Sequence, residues 1–254
     1  MSENQNIPTN LRLLLLLEEV AASGVPVTPT EVNSRLGLPK PTVHRLFSTL
    51  EDEGFLQRDI DGRSYSPGAR LRRLSVNVLS SLRIRAARVA VLSALAHEVG
   101  ETCNIATPDR DAMVYLDRVE TKWPLRIQLP IGTTVPFHCT ASGKMYLSSL
   151  RPSHLDQYLN AAPLARQTDK TMTDVVGLLE ELKAIKAQGF ATDAEEFMDG
   201  MVAMAVPITD ESGRLLSTLS IHAPIQRLSL ANLRSHLPLM QDTAQKLAKL
   251  VLED

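Results

Sequence analysis

The stretch Leu38 to Gly54 decides how the first part of the chain folds, and it runs Leu-Pro-Lys-Pro-Thr-Val-His-Arg-Leu-Phe-Ser-Thr-Leu-Glu-Asp-Glu-Gly. Pro41 suits a first helical turn, because its fixed φ is helical and its missing N–H would have no partner there. Gly54 can end the helix in the left-handed conformation that glycine adopts without strain. Between them, apolar side chains recur at helical spacing, which predicts an amphipathic helix. Its apolar stripe consists of Val43, Leu46, Phe47 and Leu50.

The polar face of this helix carries hydrogen-bond donors in its first half and acids, Glu51, Asp52 and Glu53, only in its last turn. Ordinary surface helices favour the reverse order, because the helix dipole attracts acids to the N-terminus and bases to the C-terminus. A donor-rich N-terminal half is what a helix needs to enter a DNA major groove. Taken alone, the segment is also compatible with a solvated amphipathic helix. The candidate DNA contacts on it are Lys40, Thr42, His44, Arg45 and Ser48.

The segments before this helix complete a helix-turn-helix pattern. A first helix is predicted to end at Gly24, with Thr9 or Asn10 as its N-terminal cap. A second helix is predicted to start at Thr28-Pro29, because a cap residue followed by proline is a typical helix start. Gly37 then turns the chain. Two helices joined by a glycine turn, the second with a basic start, indicate DNA binding.

A hairpin is predicted directly after the basic helix. Asp61-Gly62 lies between two short alternating segments, and Asp-Gly is among the strongest local signals for a hairpin turn. A hairpin in this position is the wing of a winged helix. Arg58 and Arg63 flank its tip, where they are candidate contacts for DNA phosphates.

A helical pattern follows from Ala69 to about Gly100, which we interpret as two helices with a bend near Ser80-Ser81. The first of them is a linker with an apolar stripe on one side. Such a stripe needs a partner if it is exposed, and a second copy of the chain is the simplest one. The linker stripe consists of Leu71, Leu74 and Val78.

The remaining chain predicts an α+β domain around an antiparallel sheet. Short strands alternate with helices, tight turns such as Glu211-Ser212-Gly213 join strands, and we expect the helices on one side of the sheet. The predicted strands are 113–119, 125–129, 190–193, 201–208 and 215–222. The predicted helices are 141–150, 153–160, 173–188 and 229–252.

Composition and charge favour a cytoplasmic protein with one basic region. Of the 254 residues, 44% are hydrophobic and 22% are charged, as in ordinary globular proteins. Residues 1–90 hold 12 Lys and Arg against 9 Asp and Glu, whereas residues 91–254 hold 15 against 20, so the first region is the one suited to phosphates. Cys103 and Cys139 provide neither a disulfide framework nor a zinc site, which indicates a reducing compartment. No apolar run approaches the roughly 18 residues that a membrane span needs, so no membrane is expected among the partners.

A turn that enters a predicted helix is the first candidate site in the body. The stretch 137–144, Phe-His-Cys-Thr-Ala-Ser-Gly-Lys, places small residues where exposed N–H groups and the helix dipole can hold an anion. An ordinary helix start is the alternative. The stretch is not a nucleotide P-loop, because His138 stands five residues before Gly143 in place of a glycine, and Met145 replaces the magnesium-binding Ser or Thr.

Two other stretches carry polar groups that could act chemically. Asp193 is followed by Glu195-Glu196 at the end of a predicted strand, where acids can serve acid–base catalysis or are simply solvated. Strand alternation puts Ser220 and His222 on one face. A triad of Ser142, His222 and Asp193 lacks a nucleophile-elbow motif, and the histidines lack metal-ligand spacing. We therefore predict no catalytic residues, no metal site and no cofactor.

These motifs together resemble the IclR family of bacterial transcriptional regulators over nearly the whole chain. In the head, the resemblance rests on Gly37-Leu38-Pro39-Lys40, Thr42-Val43-His44-Arg45-Leu46, Glu53-Gly54-Phe55-Leu56, Tyr65 and Gly68. In the body, it rests on Gly100-Glu101-Thr102, Asp117-Arg118-Val119-Glu120, His138-Cys139-Thr140-Ala141-Ser142-Gly143-Lys144, Gly189-Phe190-Ala191, Asp193, Glu195-Glu196, Ala205-Val206-Pro207-Ile208 and Leu219-Ser220. The order and spacing of so many short motifs argue against a chance similarity.

The resemblance implies a GAF-like effector domain that binds a small metabolite, often an organic acid, at one end of the sheet. It assigns the backbone donors for a carboxylate to the turn Thr140-Ala141-Ser142, and the rest of the pocket to Asp193, Ala203, Ser220 and His222. Related proteins that bind small acids have a cysteine at the position of Ala203 and a hydroxyl at that of His222. In this chain Ala203 adds room, and His222 would suit an anion when protonated.

The expected protein is a DNA-binding transcriptional regulator and not an enzyme, with a winged helix-turn-helix in 1–68, a linker helix in 69–82 and a GAF-like effector and oligomerisation domain in 83–254. Its expected partners are a near-palindromic double-stranded operator, a small anionic metabolite of the 2-oxo or 2-hydroxy acid type, and further copies of the chain in a homodimer or a dimer of dimers. Two alternatives stay open. One is a small-molecule enzyme with a helix-turn-helix appendage, and the other is a purely structural dimer module.

Overall fold

The chain divides into two units, residues 1–81 and residues 82–254, and each is described by itself. The computed structural model describes residues 7–79, 82–124 and 129–252. The predicted bend at Ser80-Ser81 and positions 125–128 of the predicted strand 125–129 lie outside the described residues.

The N-terminal unit is a winged helix, as the sequence predicted. Its elements are α1 (Arg12–Ser23), α2 (Pro29–Leu36), α3 (Lys40–Asp52), β1 (Leu56–Arg58), β2 (Tyr65–Pro67) and α4 (Ala69–Leu79). The strands β1 and β2 pair antiparallel and form the wing. The predicted apolar stripe of α3 is buried and shares one core with Leu16 and Val20 of α1 and Val32 of α2. This core holds the polar face of α3 outward.

The helix ends of this unit follow the local sequence, with one exception. Thr28 and Glu31 form a reciprocal capping box at the start of α2, and Gly24 and Gly37 end α1 and α2 in the left-handed conformation. The predicted cap of α1 is wrong, because Leu11 occupies the cap position and makes no side-chain cap hydrogen bond. The N–H of Leu11 instead donates to the carbonyl of Pro8, so a backbone turn leads directly into the helix.

The C-terminal unit is built on a six-stranded antiparallel sheet, in the order β5-β4-β3-β8-β7-β6. Its strands are β3 (Thr102–Asp109), β4 (Ala112–Val119), β5 (Thr134–Pro136), β6 (Ala191–Ala194), β7 (Met201–Thr209) and β8 (Leu215–Pro224). Its helices are α5 (Leu82–Val99), α6 (Ala141–Ser149), α7 (Pro152–Ala161), α8 (Val175–Gln188), α9 (Leu230–Arg234) and α10 (Leu237–Leu252). The unit is therefore of the predicted α+β class.

Helices cover both faces of this sheet, whereas the sequence analysis expected them on one side. Met204 and Val206 of β7 pack with α5 and α10 in one core, while Ala203 and Ala205 of the same strand pack with α6 and α8 in a second core. The reason is visible in β7, where side chains that point to opposite faces are both apolar, as in strands buried on two sides. The small alanines lie on the α6 face and leave room there.

Three further predictions about elements were wrong or incomplete. The strand β3 was not predicted, because Asn104 and Pro108 interrupt its apolar pattern, yet it lies near the centre of the sheet. The short strand β5 was not predicted either. The predicted single helix 229–252 is two helices, α9 and α10. Pro238 stands in the first turn of α10, where proline has no N–H to continue a helix from α9.

The apolar stripe on α4 is only partly covered. Leu74 and Val78 are 51% and 54% exposed, and Leu71 is half-buried. The start of α4 is attached to the winged helix, since Arg70 forms an ion pair with Glu53 at 2.5 Å. Gly68 precedes α4 at a close approach of two backbone segments.

We predict that Gly68→Ala destabilises the winged helix. A Cβ at Gly68 would overlap the carbonyl oxygen of Gly54 and the backbone of Phe55 and Leu56, which cannot rotate away. Overpacking of this kind costs about 1–3 kcal/mol. Hydrogen exchange followed by mass spectrometry should show lost protection within residues 12–67 and unchanged protection in 82–252.

Gly177→Ala in α8 is the matched control, because a Cβ there meets only the side chains of Asp174 and Met172. Alanine also has the higher helix propensity, so this variant should be neutral or stabilised. Equal protection of the winged helix in the Gly68 variant and the control would contradict the prediction.

Candidate functional site

The polar face of α3 is exposed along its first half. Lys40, His44, Arg45 and Ser48 are exposed and Thr42 is half-buried. Within the described ranges, the side chains of Lys40 and Arg45 make no hydrogen bond and no ion pair, so both charges face solvent. The first half of α3 thus offers a row of accessible donors, which is the property that major-groove recognition needs.

The two predicted wing arginines have different surroundings. Arg58 donates from Nε and Nη2 to the two carboxylate oxygens of Glu51 at 3.0 and 2.6 Å, and its guanidinium lies over the ring of Tyr65. These hydrogen bonds hold the pKa of Glu51 below its ordinary value. Arg63 is exposed at the wing tip. Arg58 therefore joins the wing to the end of α3, a role that the sequence analysis did not anticipate, while Arg63 is exposed.

In the C-terminal unit, the strand register brings the predicted effector residues together. Asp193, Ala203 and His222 are direct cross-strand neighbours on β6, β7 and β8. Ser220 lies two residues before His222 on the same face, and its Oγ is 3.1 Å from His222 Nε2. Directly paired residues share a face, so all four lie on the side where Ala203 packs with α6.

The first turn of α6 completes this candidate site. Thr140 caps the helix, accepting from the N–H of Gly143 at 3.1 Å and donating to the carbonyl of Pro136 at 2.7 Å. The N–H groups of Ala141 and Ser142 have no intrahelical acceptor, as at any helix start. Ser142 Oγ is buried and has no hydrogen-bond partner in the part of the chain that is described. The turn therefore presents several donors and a buried hydroxyl.

Gly143 allows this turn to lie against the preceding segment. A Cβ at Gly143 would overlap the backbone of Phe137, so only glycine fits at this point of α6. The predicted anion-binding turn thus packs closely against the preceding backbone, and the glycine at position 143 has a steric reason.

Asp193 is buried, and its carboxyl is partly protonated near neutral pH. Burial, together with the charge of Glu196, raises its pKa from 3.8 to about 7. Its Oδ1 accepts from the N–H groups of Glu196 at 2.7 Å and Phe197 at 3.3 Å. Asp193 also contributes, after burial, to raising the pKa of Cys139 to about 12, so its carboxyl lies close to the segment that enters α6.

His222 is neutral in the folded chain, so the condition under which it would suit an anion, protonation, is not met near neutral pH. Burial, and then the nearby charge of Arg118, lower its pKa to about 3. Its ring meets Tyr115 edge-on at a centroid distance of 6.1 Å. His222 can therefore offer a hydrogen bond to a ligand but no net charge.

A buried ion cluster holds α6 against the neighbouring elements. Lys144 Nζ donates to both oxygens of Glu196 at 2.6 and 2.8 Å and to Glu181 Oε1 at 2.5 Å. Burial works against the charge on Lys144, but the two carboxylates raise its pKa above the ordinary value. Lys144 thus stays protonated and links α6 to α8 and to the loop after β6.

Sequence reasoning missed two polar residues on the α6 face of the sheet. Asn104 of β3 pairs directly with Ser220 on one side and with Arg118 of β4 on the other. Arg118 stands within a quoted family motif, which was the available signal for it. Asn104 could not be placed, because β3 was not predicted.

The geometry gives little support to a catalytic triad or to a metal site. Ser142 makes no hydrogen bond to His222 or Asp193 within the described ranges, so the three residues do not form a hydrogen-bonded triad. Across the same ranges, no group of three or more His, Cys, Asp or Glu side chains is placed to hold a metal ion. None of the described helices is both long enough and apolar enough to cross a bilayer.

A winged helix followed by a separate α+β unit is the general architecture of the protein, and comparison with known proteins identifies its family. The model of the IclR helix-turn-helix domain matches residues 11–59, and the model of the bacterial transcriptional regulator IclR C-terminal domain matches residues 76–249. The chain belongs to the IclR family of bacterial transcriptional regulators, as its motifs indicated.

Individual relatives agree with this assignment. The "Probable transcriptional regulator SauR" of Cupriavidus necator is 34% identical over 253 residues, with 100% of both chains covered. The crystal structure of Thermotoga maritima IclR matches with a TM-score of 0.63 and 25% identity, covering 95% of this chain and 97% of that one. An inducer-binding domain of the Acinetobacter transcription factor PobR, a double mutant in complex with 3-hydroxybenzoic acid, matches with a TM-score of 0.60 and 27% identity, covering 65% of this chain and 97% of that one.

The opposite pKa shifts of Asp193 and His222 lead to a prediction about pH and stability. A carboxyl whose pKa is raised in the folded state stabilises the fold at low pH, and this contribution is lost as pH rises. Relative to Asp193→Asn, the wild-type chain should therefore lose stability between about pH 4 and pH 7, by roughly 1 kcal/mol per pH unit. The asparagine keeps an oxygen for the N–H groups of Glu196 and Phe197. Urea unfolding at several pH values measures the difference.

His222→Gln is the control with the opposite sign. A histidine whose pKa is lowered in the folded state weakens the fold as pH falls. As pH rises from about 3 to about 6.5, the wild type should therefore gain stability relative to this variant. A difference between wild type and Asp193→Asn that does not change with pH would show that Asp193 is ionised in the folded chain.

Proposed function

We propose that the chain binds a near-palindromic operator through α3 and its wing, and that a small 2-oxo or 2-hydroxy acid in the C-terminal unit changes its affinity for that operator. The proposal rests above all on one arrangement of groups. A buried, partly protonated Asp193 lies on the sheet face that packs against α6, and the first turn of α6 is rich in donors. Membership of a family of transcriptional regulators supports the DNA-binding part.

The DNA contacts follow from exposure and charge. Lys40, Arg45 and the smaller donors Thr42, His44 and Ser48 would reach base edges and nearby phosphates, since they share the exposed first half of α3. Arg63 would contact a phosphate from the wing tip. Arg58 would act mainly through Glu51, because their ion pair joins the wing to the end of α3.

The assembly follows from the apolar stripe on α4. Leu74 and Val78 are each more than half exposed on α4, and pairing with the same stripe of a second chain would cover both. A two-fold dimer would place two α3 helices on half-sites about one helical turn apart or a multiple of it. We infer a winged helix in 1–68, a linker in 69–82 and an effector and oligomerisation domain of GAF-like type in 83–254, in a cytoplasmic dimer or dimer of dimers.

The effector follows from the two sides of the candidate site. The first turn of α6 would hold a carboxylate through its N–H groups and the helix dipole. The Asp193 carboxyl, which is close to half-protonated at neutral pH, would accept from or donate to a hydroxyl or hydrated carbonyl next to that carboxylate. Ser220 and neutral His222 would complete the hydrogen bonds. The related PobR domain, bound to a hydroxylated carboxylic acid, supports an acid of this general kind.

Ligand binding would change DNA affinity only through a difference in ligand affinity between two arrangements of the protein. A typical coupling of about 1–3 kcal/mol would alter operator affinity about 5- to 150-fold. An enzymatic role is less well supported, because the relatives are named as transcriptional regulators and Ser142, His222 and Asp193 form no hydrogen-bonded triad within the described residues.

We predict that Lys40→Ala and Arg45→Ala each weaken specific operator binding by about 1–3 kcal/mol without loss of fold, because both side chains are exposed on α3. Fluorescence anisotropy with the DNA next to the gene, with excess competitor DNA, measures the loss. Lys183→Ala is the matched control, since Lys183 is an exposed lysine on α8 in the other unit. Wild-type affinity in a folded Lys40→Ala, Arg45→Ala double variant would exclude α3 from the interface.

We also predict that Asp193→Ala loses the effector response while it retains operator binding, because Asp193 and α3 belong to different units. The effector is first identified by a thermal-shift screen of small 2-oxo and 2-hydroxy acids. Operator binding is then titrated with and without it. Thr192→Ala serves as the control, because Thr192 points to the opposite face of β6. An undiminished response in Asp193→Ala would show that the effector binds elsewhere.

A further inference from the structure

We propose that the effector is a small diacid, whose second acidic group is bound by the Asn104 amide beside the Arg118 guanidinium on the same sheet face. The proposal rests on the proposed effector site and adds to it one residue of β3 and one of β4. It concerns residues that the family resemblance did not assign to the ligand.

Asn104 lies next to the polar residues Ser220 and His222 of the candidate site. On β3 it pairs directly with Ser220, so its side chain lies beside Ser220 on the face of the sheet that packs against α6. His222 is two residues further along β8, on the same face. One strand spacing, about 4.8 Å, separates the two backbones. The span between the acidic groups of a three- or four-carbon diacid is at most of this order, so one such molecule can contact Ser220 on β8 and Asn104 on β3 at once.

Arg118 determines which end of the Asn104 amide is available. Its Nη1 donates to Asn104 Oδ1 at 2.8 Å, so this oxygen is occupied and the amide nitrogen must point elsewhere. Asn104 is fully buried, and its Nδ2 has no hydrogen-bond partner in the described part of the chain. A buried donor without an acceptor is costly, and a ligand oxygen would remove that cost.

Ser142 provides a second, independent sign of a ligand. Its Oγ is buried at the first turn of α6 and also lacks a partner in the described part of the chain. Two unsatisfied polar groups therefore lie on the two sides of the candidate site, one at the helix start and one on β3. A ligand with polar groups at both ends would satisfy both.

The charge beside Asn104 favours an anion over a neutral group. The Arg118 side chain is only 3% exposed and lies over the Tyr115 ring, which contacts the His222 ring in a T-shaped arrangement. Arg118 is held by Glu120 through Nε at 3.1 Å, and the Glu120 side chain is 35% exposed, so solvent screens that carboxylate more than the guanidinium. An amide N–H next to a buried guanidinium donates well to a carboxylate oxygen, because the nearby positive charge stabilises the anion.

Two matched pairs of acids test this inference by calorimetry on the full-length chain at neutral pH. Lactate and tartronate are both three-carbon 2-hydroxy acids, and the second replaces a methyl group by a carboxylate. The pair 2-hydroxybutyrate and malate makes the same comparison with four carbons. We expect at least one diacid to bind about tenfold tighter than its monoacid partner or better, as a charge-assisted hydrogen bond allows.

Asn104→Asp is the decisive variant. The aspartate can still accept from Arg118, but it replaces the amide donor by a negative charge; retained binding of the monoacid shows that the variant is folded. The diacid advantage should disappear, while the monoacid binds as in the wild type. Asn77→Asp, at an exposed position of α4, makes the same charge change in the other unit and should retain the advantage.

The outcomes separate this inference from the proposed function. Equal binding of monoacids and diacids by the wild type, together with loss of binding in Asp193→Ala, would overturn the diacid but keep the effector site. A diacid advantage that persists in Asn104→Asp would overturn the role of Asn104. Absence of binding by all four acids would overturn the diacid and the proposed effector class together.

Discussion

The buried ion cluster around Lys144 is the interaction on which the candidate site depends. Lys144 carries a charge where its side chain has no exposure, and it forms ion pairs with Glu196 and Glu181. Removing one partner of such a pair typically costs about 3–5 kcal/mol, because the other charge is left buried and uncompensated. The cluster joins α6, α8 and the loop after β6, so it holds the donor-rich turn of α6 over the sheet. Glu196 is also one of the two residues whose N–H groups bind Asp193, so the same cluster positions that carboxyl.

The electrostatics of the site follow from burial more than from formal charge. Burial raises the pKa of Asp193 to about 7 and lowers that of His222 to about 3, so the acid loses part of its negative charge and the base its positive charge. The repulsion that an ionised Asp193 would exert on a carboxylate is thereby weakened. Between about pH 4 and pH 6.5, the effects of the two groups on stability have opposite signs and partly cancel. The fold can thus hold an acid and a base in one buried row without a strong dependence on pH.

Much of the fold was predictable because its signals are local. The stripe of α3, the Thr28-Pro29 start and the Asp61-Gly62 turn each act over a few residues, and all three were confirmed. Errors arose where the cause was not local. The helix start at Leu11 depends on a preceding backbone turn, and the break before α10 depends on where a proline falls within a longer apolar pattern. Helices on both faces of the sheet were missed, because a strand's sequence does not state which elements will cover it.

The sequence by itself determined the winged helix, the α+β class, the family and the identity of the polar residues that the resemblance assigned to the effector. These are properties of local pattern and of motif order. Only the tertiary structure decided the ionisation of Asp193 and His222, because desolvation depends on what surrounds a group in space. Only the tertiary structure shows that Arg58 contacts Glu51 and that Asn104 lies between Ser220 and Arg118. Cross-strand pairing joins residues about 14 and 116 positions apart in the chain, and no local signal in a single sequence records which strands will meet.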